Sequence, residues 1–334
     1  MVEGEGEVHV LGIIEYWNQV RPLIDNGISR LLPIFLERMP TEHAEIFKES
    51  IEGGKRVRGT LTCLVSQALG GKLEDALPRA VAIEYIHAAT LIHDDYVDLD
   101  TVRRNRPAIW TLEGSRRAVL FGDLILSYMI NMMTDMSKDD AKAVAEAIAA
   151  VAMGAFQEPL NPLRLVEDIA HGRFPSGLYD VIIELKTGAL FGAAAKLGAI
   201  ASNRLDLADK VYSYGSKCGE AFQIADDLRE VLHIVDTRRV NINKMVTLFP
   251  ACLYYSNESM RDMLDILLGK RVDMASLILE RWVPLIERMS NDIDVRINLA
   301  LKAIEYFEDN EYTRLLKDAP RHIVRLMLES KVEA

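Results

Sequence analysis

Two clusters of carboxylates, more than a hundred residues apart, are the side chains of this chain best suited to chemistry. Their members are Asp94, Asp95 and Asp98 in the first cluster and Asp226, Asp227 and Glu230 in the second. Residues i and i+4 share one face of a helix, so each cluster presents an aligned pair of acids. Such pairs repel unless a cation lies between them. Mg²⁺ is usually held by one or two carboxylates together with substrate phosphate oxygens, so the spacing predicts divalent ions that hold a diphosphate.

Basic side chains occur where a diphosphate would need positive charge. They are Lys55, Arg58, Arg103, Arg104, Lys186 and Lys244. His87 lies seven residues before Asp94, which places it two helical turns away on the same face. Arginine suits bidentate phosphate contacts and lysine acts as a point charge. We therefore expect these residues to bind phosphate oxygens.

The elements that must position these residues are helices. Apolar residues recur at i, i+3, i+4 and i+7 along nearly the whole chain, and strict alternation over a strand length is hard to find. We predict an all-α fold. The predicted helices cover 11–38, 41–52, 55–70, 76–98, 115–136, 138–157, 177–202, 205–234, 242–256, 258–269, 273–308 and 310–330. Prolines 159, 162 and 175 indicate a connector rather than a long helix.

The helices at 76–98 and 205–234 are apolar around most of their circumference, as is typical of helices central to a bundle. The acidic clusters are predicted at their C-terminal ends. A helix C-terminus carries about half a negative charge, which would reinforce a cation site there.

Composition excludes several classes of protein. The chain has 334 residues, of which 49% are hydrophobic, so one large domain or two modest ones are both possible. Its net charge of −11 argues against a nucleic-acid partner. Cys63, Cys218 and Cys252 are isolated, which favours a reducing, cytoplasmic location without disulfides. We find neither a signal peptide nor an uncharged apolar run of about 18 residues, so no transmembrane segment is expected.

An ordered series of motifs between about residues 50 and 250 resembles the trans-type isoprenyl diphosphate synthases, the family of farnesyl and geranylgeranyl diphosphate synthases. The series is Gly53-Gly54-Lys55-Arg56-Val57-Arg58, Ile86-His87, Leu91-Ile92-His93-Asp94-Asp95 with Asp98, Arg103-Arg104, Gly122-Asp123, Lys186-Thr187, Phe222-Gln223 and Asp226-Asp227. The resemblance implies one isoprenoid-synthase domain over 1–334, a bundle of roughly 10 to 13 helices around a hydrophobic tunnel.

The resemblance also implies roles for the acidic residues. Asp94 and Asp98 are expected to bind two Mg²⁺ ions, and Asp226 a third, with Asp227 and Glu230 supporting it. Mn²⁺ is a possible replacement for Mg²⁺. Bound metals would help to neutralise the leaving diphosphate, so that the allylic C–O bond ionises.

Substrate contacts follow from the same resemblance. The allylic diphosphate is expected at Arg103, Lys186 and Lys244, and isopentenyl diphosphate at Lys55, Arg58, His87 and Arg104. Thr187 is expected to bind substrate and Gln223 to lie near the reacting carbons. Catalysis is assigned to Asp94, Asp98, Lys186, Gln223 and Asp226. The alkene would attack the allylic cation, and proton loss would complete a product five carbons longer.

Chain length is predicted from the helix that leads into Asp94. In the family that the sequence resembles, bulky residues four and five positions before the first aspartate keep products short. The small residues Thr90 and Ala89 at these positions would leave the tunnel open, and Ile86 further down would stop the growing chain. We therefore predict a product near C20, geranylgeranyl diphosphate. The resemblance also implies a homodimer.

This sequence departs from the family pattern at several positions. Gly59 stands where proline is usual, Asn105 where glycine is usual, Ala155 and Glu158 replace Gln and Asp, and the second motif ends in Glu230. The region 231–243 is shorter than usual and lacks a glycine-lysine segment. These departures keep one alternative open, a non-catalytic or regulatory subunit of a heteromeric synthase. A class I terpene cyclase is disfavoured, because it would not need the cations assigned to isopentenyl diphosphate.

Overall fold

The computed structural model describes residues 11–159, 161–173, 175, 177–237, 242–256 and 282–330. Helices and strands are numbered in chain order. They are α1 Ile13–Leu36, α2 Thr41–Ile51, α3 Val57–Ala68, α4 Leu73–Val97, β1 Val102–Arg103, β2 Arg106–Pro107, α5 Ile109–Glu113, α6 Ser115–Met136, α7 Lys138–Gln157, α8 Pro162–Ala170, α9 Leu178–Ile182, α10 Ala189–Ala201, α11 Ala208–Thr237, α12 Ile242–Tyr255, α13 Val283–Ala303 and α14 Glu311–Leu328. A π-helical segment, Ile183–Gly188, joins α9 to α10. The predicted all-α fold is confirmed.

A small β-hairpin interrupts the helical pattern after the first acidic cluster. Val102 pairs with Pro107 and Arg103 with Arg106. The two turn residues, Arg104 and Asn105, have φ values of 52° and 61°. Two consecutive residues with positive φ are typical of the tight turns that match strand twist. Strands of two residues are too short to show alternation, so the sequence pattern did not predict them.

The predicted proline-rich connector contains a helix, α8. Proline is tolerated in the first turn of a helix because the missing N–H would have no partner inside the helix there, and α8 begins at Pro162. The Asn161 side chain accepts a hydrogen bond from the backbone N–H of Arg164 at 3.1 Å. That contact has the geometry of an N-cap. The predicted helix 258–269 and the start of 273–308 lie outside the described residues, and the described part of the latter ends at Ala303.

Two helices organise the packing around the acidic clusters. Helix α4 packs against α3, α6 and α10, and α11 packs against α10 and α13. Buried apolar side chains, among them Tyr85 on α4 and Phe191 on α10, form one core, and a second core surrounds α11 and α12 and includes Trp282. The central position predicted for α4 and α11 follows from their apolar circumference.

The clusters lie at different places on their helices. Helix α4 ends at Val97, so the first cluster is at its C-terminal end, as predicted. Helix α11 continues to Thr237, about two turns beyond Glu230. The helix dipole acts only within the last turn, so the electrostatic contribution expected at the second cluster does not apply. Within the described ranges, none of the helices is long and apolar enough to span a lipid bilayer.

Candidate active site

One cavity of about 1300 Å³ collects most of the residues that the sequence singled out. The predicted residues that line it are Lys55, Arg58, His87, Thr90, Asp94, Asp98, Arg103, Arg104, Lys186, Thr187, Gln223, Asp226, Asp227 and Glu230. Ala89 and Ile86 are fully buried in the core instead and do not line it. The side chain of Lys244 lies outside the described residues. The packing of α4 against its neighbours thus brings both acidic clusters and the cations to one site.

The first acidic cluster converges on a lysine. The Nζ atom of Lys186 lies 3.9 Å from Oδ1 of Asp94 and 3.8 Å from Oδ2 of Asp98. Its closest carboxylate is Glu158, at 2.5 Å. Lys186 is part of the π-helical segment, and such segments are frequent at functional sites. Two carboxylates that already converge on one cation are a donor set suited to a hard divalent ion.

Burial and charge oppose each other in this group. Burial lowers the pKa of Lys186, but the carboxylates of Asp94, Glu158 and Asp98 outweigh it and hold the pKa above its ordinary value. Burial raises the pKa of Glu158 to about 7, even though Lys186 acts to lower it. Lys186 therefore carries a positive charge at neutral pH, whereas Glu158 titrates near neutrality.

Asp95, the middle acid of the first cluster, positions an arginine. It is 4% exposed, and the Nε of Arg103 donates a hydrogen bond to its Oδ1 at 2.7 Å. Burial raises the pKa of Asp95 to about 6 against the lowering effect of Arg103. Arg103 also lies 3.7 Å from Asp100, and its side chain stays one-third exposed. Asp95 and Asp100 thus fix the Arg103 side chain at the wall of the cavity.

The second acidic cluster holds an arginine of its own. Nη2 of Arg229 lies 2.7 Å from Oδ1 of Asp226 and 3.7 Å from Oε1 of Glu230. Sequence reasoning assigned Arg229 no role, although its spacing of three residues from Asp226 indicates an ion pair on a helix. Oδ1 of Asp226 is nevertheless buried without a hydrogen-bond partner among the described groups, so it remains available to a divalent ion. A metal ion at Asp226 stays a prediction, with Arg229 as its neighbour on the helix.

Both side-chain oxygens of Asp227 accept hydrogen bonds. The hydroxyl of Tyr179 donates to one at 2.6 Å, and Nε2 of Gln223 donates to the other at 3.1 Å. Burial raises the pKa of Asp227 to about 7, more than these hydrogen bonds lower it. Thr187 in turn donates to Oε1 of Gln223 at 2.7 Å. The chain of hydrogen bonds fixes the Gln223 amide at the cavity, and Asp227 serves as its support.

Lys55 reaches the end of the last helix. Its Nζ donates hydrogen bonds to the carbonyl of Leu326 and the hydroxyl of Ser330, and Ser330 also lines the cavity. Burial, followed by the charge of Arg229, lowers the pKa of Lys55. The ammonium is therefore near both the second cluster and the end of α14.

The remaining cations line the cavity beside Lys55. Arg58 lies over the ring of Phe191 at 4.5 Å, and burial lowers its pKa to about 10. Burial and four neighbouring arginines hold the pKa of His87 well below its ordinary value, so this imidazole is neutral at pH 7. Arg104 donates to the carbonyl of Glu52 at 3.0 Å. At Gly54, where φ is 93°, a Cβ atom would lie 2.9 Å from Nη2 of Arg104. The flexible guanidinium could move away from a Cβ atom, so the positive φ is what favours glycine here.

The segment from Gly53 to Gly59 is anchored by charged residues to which the sequence analysis assigned no role. Nε of Arg56 donates to Asp25 at 2.6 Å, and the same guanidinium lies 3.7 Å from Glu84. The backbone N–H of Gly59 donates to Glu84 at 2.8 Å. Proline has no N–H, so glycine at position 59 supplies a hydrogen bond that proline could not. The signal for this role was an isolated glutamate in an apolar stretch of α4.

The described residues contain no group of three or more His, Cys, Asp and Glu side chains that could hold a metal without other ligands. Asp94 and Asp98 would supply two carboxylates to a divalent ion. Its other ligands would be water or the oxygens of a bound phosphate, as is usual for Mg²⁺.

Comparison with known proteins identifies relatives. A geranylgeranyl diphosphate synthase of Methanosarcina mazei is 29% identical over 219 residues, which are 62% of this chain and 64% of that protein. The match thus spans less than two thirds of that relative. A hexaprenyl pyrophosphate synthase of Saccharolobus solfataricus is 30% identical over 65% of this chain and 72% of that protein. Both relatives are named as prenyl diphosphate synthases, but for different chain lengths.

A solved structure shares the fold over nearly the whole chain. A polyprenyl synthase of Caulobacter crescentus, crystallised with calcium and isoprenyl diphosphate, superposes with a TM-score of 0.74 at 20% identity. The superposition covers 94% of this chain and 98% of that one. The sequence profile of the polyprenyl synthetase family matches residues 40–241, more than half of the chain. The chain therefore belongs to the polyprenyl synthetase family.

Proposed function

We propose that this chain is a prenyltransferase that condenses isopentenyl diphosphate, head to tail, with an allylic diphosphate. The observation that carries the proposal is the single cavity in which Asp94 and Asp98 lie beside Lys186, with further cations around them. Carboxylates that can hold Mg²⁺ and cations that can hold phosphate oxygens are both needed to bind a diphosphate. Relatives named as prenyl diphosphate synthases support this proposal.

Each group has a distinct task in this reaction. Asp94 and Asp98 would hold Mg²⁺, which supplies positive charge to the leaving diphosphate. Lys186, fixed by Glu158, donates to the same diphosphate, and Arg103 is presented from Asp95. Positioned cations favour departure of the diphosphate because negative charge develops on it as the allylic C–O bond breaks. The alkene of isopentenyl diphosphate then attacks the allylic cation.

The second diphosphate is assigned to the cations near the other wall. Lys55, Arg58 and Arg104 supply positive charge there, and His87 is neutral and able to donate one hydrogen bond. Gln223 is fixed by Thr187 and Asp227 beside the second acidic cluster. Proton loss to the released diphosphate completes the product without a dedicated side-chain base.

The finer proposal is a C20 product. Thr90, one helical turn before Asp94, is a small residue at the cavity wall, which supports a hydrocarbon channel that is open at this level. The names of the relatives include geranylgeranyl and hexaprenyl diphosphate synthases. Product length therefore has to be measured.

We also propose a homodimer. The neighbouring helices α6 and α7 expose large apolar side chains, including Leu120 at 63% and Phe156 at 82%. Apolar side chains on adjacent helices favour burial against a second copy. Sedimentation equilibrium of the wild type and of Phe156→Glu tests this, since a charge at such a contact should shift the mass toward the monomer. A monomer mass for the wild type would contradict it.

The activity is tested by incubating the protein with Mg²⁺, labelled isopentenyl diphosphate and C5, C10 or C15 allylic primers, and by sizing the dephosphorylated products. Elongation that a chelator abolishes and that ends at C20 is expected. Asp94→Asn should abolish it, whereas Asp139→Asn, at an exposed helix start, should not. Absence of elongation with every primer by the folded wild type would favour the non-catalytic subunit.

A further inference from the structure

A buried glutamate of α4 joins the segment that carries Lys55 and Arg58 to the helix that carries the first acidic cluster. Oε1 of Glu84 accepts a hydrogen bond from the backbone N–H of Gly59 at 2.8 Å, and Oε2 lies 3.7 Å from Nη1 of Arg56. Both oxygens of this carboxylate therefore contact the same short segment. A carboxylate repels a diphosphate, so Glu84 can influence that ligand only through the groups that it holds.

The backbone of Arg56 has a conformation that needs support from its surroundings. Its φ of 52° and ψ of 41° lie in the left-handed region, which residues with a Cβ atom rarely adopt. Such a conformation persists where the surrounding contacts fix it. The guanidinium supplies these contacts, because it binds Asp25 of α1, the carbonyl of Ile51 of α2 and Glu84 of α4. Three helices therefore hold the turn at Arg56.

This turn determines where the two flanking cations lie. Lys55 comes one residue before Arg56 and Arg58 two residues after it, and both line the cavity. The first turn of α3 also packs directly on α4, since a Cβ atom at Gly59 would lie 2.9 Å from the backbone oxygen of Ala80. The positions of Lys55 and Arg58 relative to α4 thus depend on the pair of Arg56 and Glu84.

The same helix presents the acids assigned to metal binding. Glu84 precedes Asp94 by ten residues within α4, which is about 15 Å along the helix axis. One part of α4 therefore anchors the cations assigned to isopentenyl diphosphate, and its end carries the acids assigned to the allylic diphosphate. The distance between two bound substrates is critical for their reaction, since a misplacement of about 1 Å can slow a reaction about a hundredfold.

We propose that Glu84 is a positioning residue for isopentenyl diphosphate, which fixes Lys55 and Arg58 to α4 and so sets the distance between the diphosphates of the two substrates. The carboxylate acts together with the guanidinium of Arg56. Loss of either partner should let the segment move relative to α4 and weaken the contacts of its cations with the diphosphate. The inference rests on the proposed function, which supplies the identity of the ligand.

The first test is isothermal titration of the metal-free full chain with inorganic pyrophosphate. Glu84→Gln is compared with Glu74→Gln, which changes an exposed glutamate of the same helix. We expect about tenfold weaker binding in Glu84→Gln, the effect of one lost hydrogen bond to a charged group. Loss of a negative charge alone would make the pocket more positive and strengthen binding. Equal or tighter binding in Glu84→Gln would therefore overturn the inference.

Steady-state kinetics separate positioning from a general loosening of the structure. Glu84→Gln should raise the KM for isopentenyl diphosphate about tenfold. It should change the KM for the allylic primer less than about twofold, because Arg103 and Lys186 are held by Asp95 and Glu158 instead. Equal rises in both KM values would contradict the inference.

A second variant tests the pair of charges. Arg56→Lys keeps a cation but lacks the planar fork that binds three partners at once, so it should reproduce both effects of Glu84→Gln. Because the two residues act as one unit, the double variant should be no weaker than either single variant, and additive losses would overturn the inference. Circular dichroism verifies the fold of each variant, and Arg56→Lys decides the question if Glu84→Gln does not fold.

The two proposals fail in different ways. Absence of elongation by the folded wild type counts against the proposed function. Pyrophosphate titration requires no turnover, so the comparison of Glu84→Gln with Glu74→Gln decides the role of Glu84 independently of that result.

Discussion

The ammonium of Lys186 lies 2.5 Å from the carboxylate of Glu158, and this contact keeps it beyond hydrogen-bond distance of Asp94 and Asp98. Glu158 is one of the positions at which the sequence departs from its family pattern. Here it acts as a positioning residue, because it determines whether the lysine competes with a metal for the first acidic cluster.

Removal of this anchor should weaken metal binding. In Glu158→Gln the lysine loses its nearest counter-charge and turns toward Asp94 and Asp98, so Mn²⁺ affinity should fall about tenfold. Lys186→Met should have the opposite effect on Mn²⁺ affinity and still reduce turnover, since the diphosphate loses a contact. Isothermal titration with Mn²⁺ measures the affinities of the two variants, and product formation from labelled isopentenyl diphosphate measures their turnover. Glu146→Gln, an exposed glutamate paired with Lys142, is the matched control, and equal affinities in all variants would refute the role of Glu158.

Asp227 should make the folded state lose stability as the pH rises. Its ordinary pKa is 3.8 and burial raises it to about 7 in the folded protein, so the folded state holds a proton that the unfolded state releases. Stability from this group is complete below about pH 4 and is lost as the pH rises toward 7. Urea unfolding at pH 5 and pH 8 should show a smaller loss for Asp227→Asn than for the wild type, by about 1 to 2 kcal/mol.

The control for this experiment is Asp139→Asn, which changes an exposed aspartate. It should follow the wild type at both pH values. Glu158 and Asp95 have raised pKa values as well, so part of the dependence should persist in Asp227→Asn. An identical loss in Asp227→Asn and the wild type would show that this carboxyl does not titrate in the range.

Product length should respond to Thr90 rather than to its neighbour. Thr90 lines the cavity, so Thr90→Phe should narrow the channel and shift products to shorter chains. Ala89 is fully buried in the core, and Ala89→Phe should instead destabilise the fold by about 1 to 3 kcal/mol through overpacking. Product sizing and thermal unfolding on both variants separate the two effects. A folded Ala89→Phe with short products would support the chain-length role that the sequence predicts for Ala89 and contradict the overpacking expected here.

Arg296 should be important for stability through three acidic partners. It lies 2.5 Å from Asp180, 2.5 Å from Glu220 and 3.2 Å from Asp292, and the Glu220 side chain is fully buried. Arg296→Met leaves Glu220 paired with Lys217 alone, so the loss should be that of hydrogen bonds to a charged group, about 2 kcal/mol. Arg314→Met, which breaks a fully exposed pair, should leave stability close to that of the wild type. Chemical unfolding compares them, and equal losses would contradict the network.

The fold class and most members of the site follow from local patterns in the sequence. Helical periodicity predicts α4 and α11 as central helices, because a helix apolar on most faces must be surrounded. A spacing of four residues is sufficient to align Asp94 with Asp98 on one helix face. Signals of this kind depend only on residues that are close together in the sequence, so they can be recognised without the structure. The two-residue strands are too short to produce a period, and the prolines around α8 indicated a connector, so neither element was predicted.

Which charges meet depends instead on how distant segments pack. Glu158, Lys186 and the first cluster come from three separate parts of the chain, namely the end of α7, the π-helical segment and the end of α4, so their contacts require the tertiary fold. The same holds for the anchoring of Asp227 by Tyr179. A pKa or a metal site depends on burial and on distances of a few ångströms, and both are set only when these segments come together.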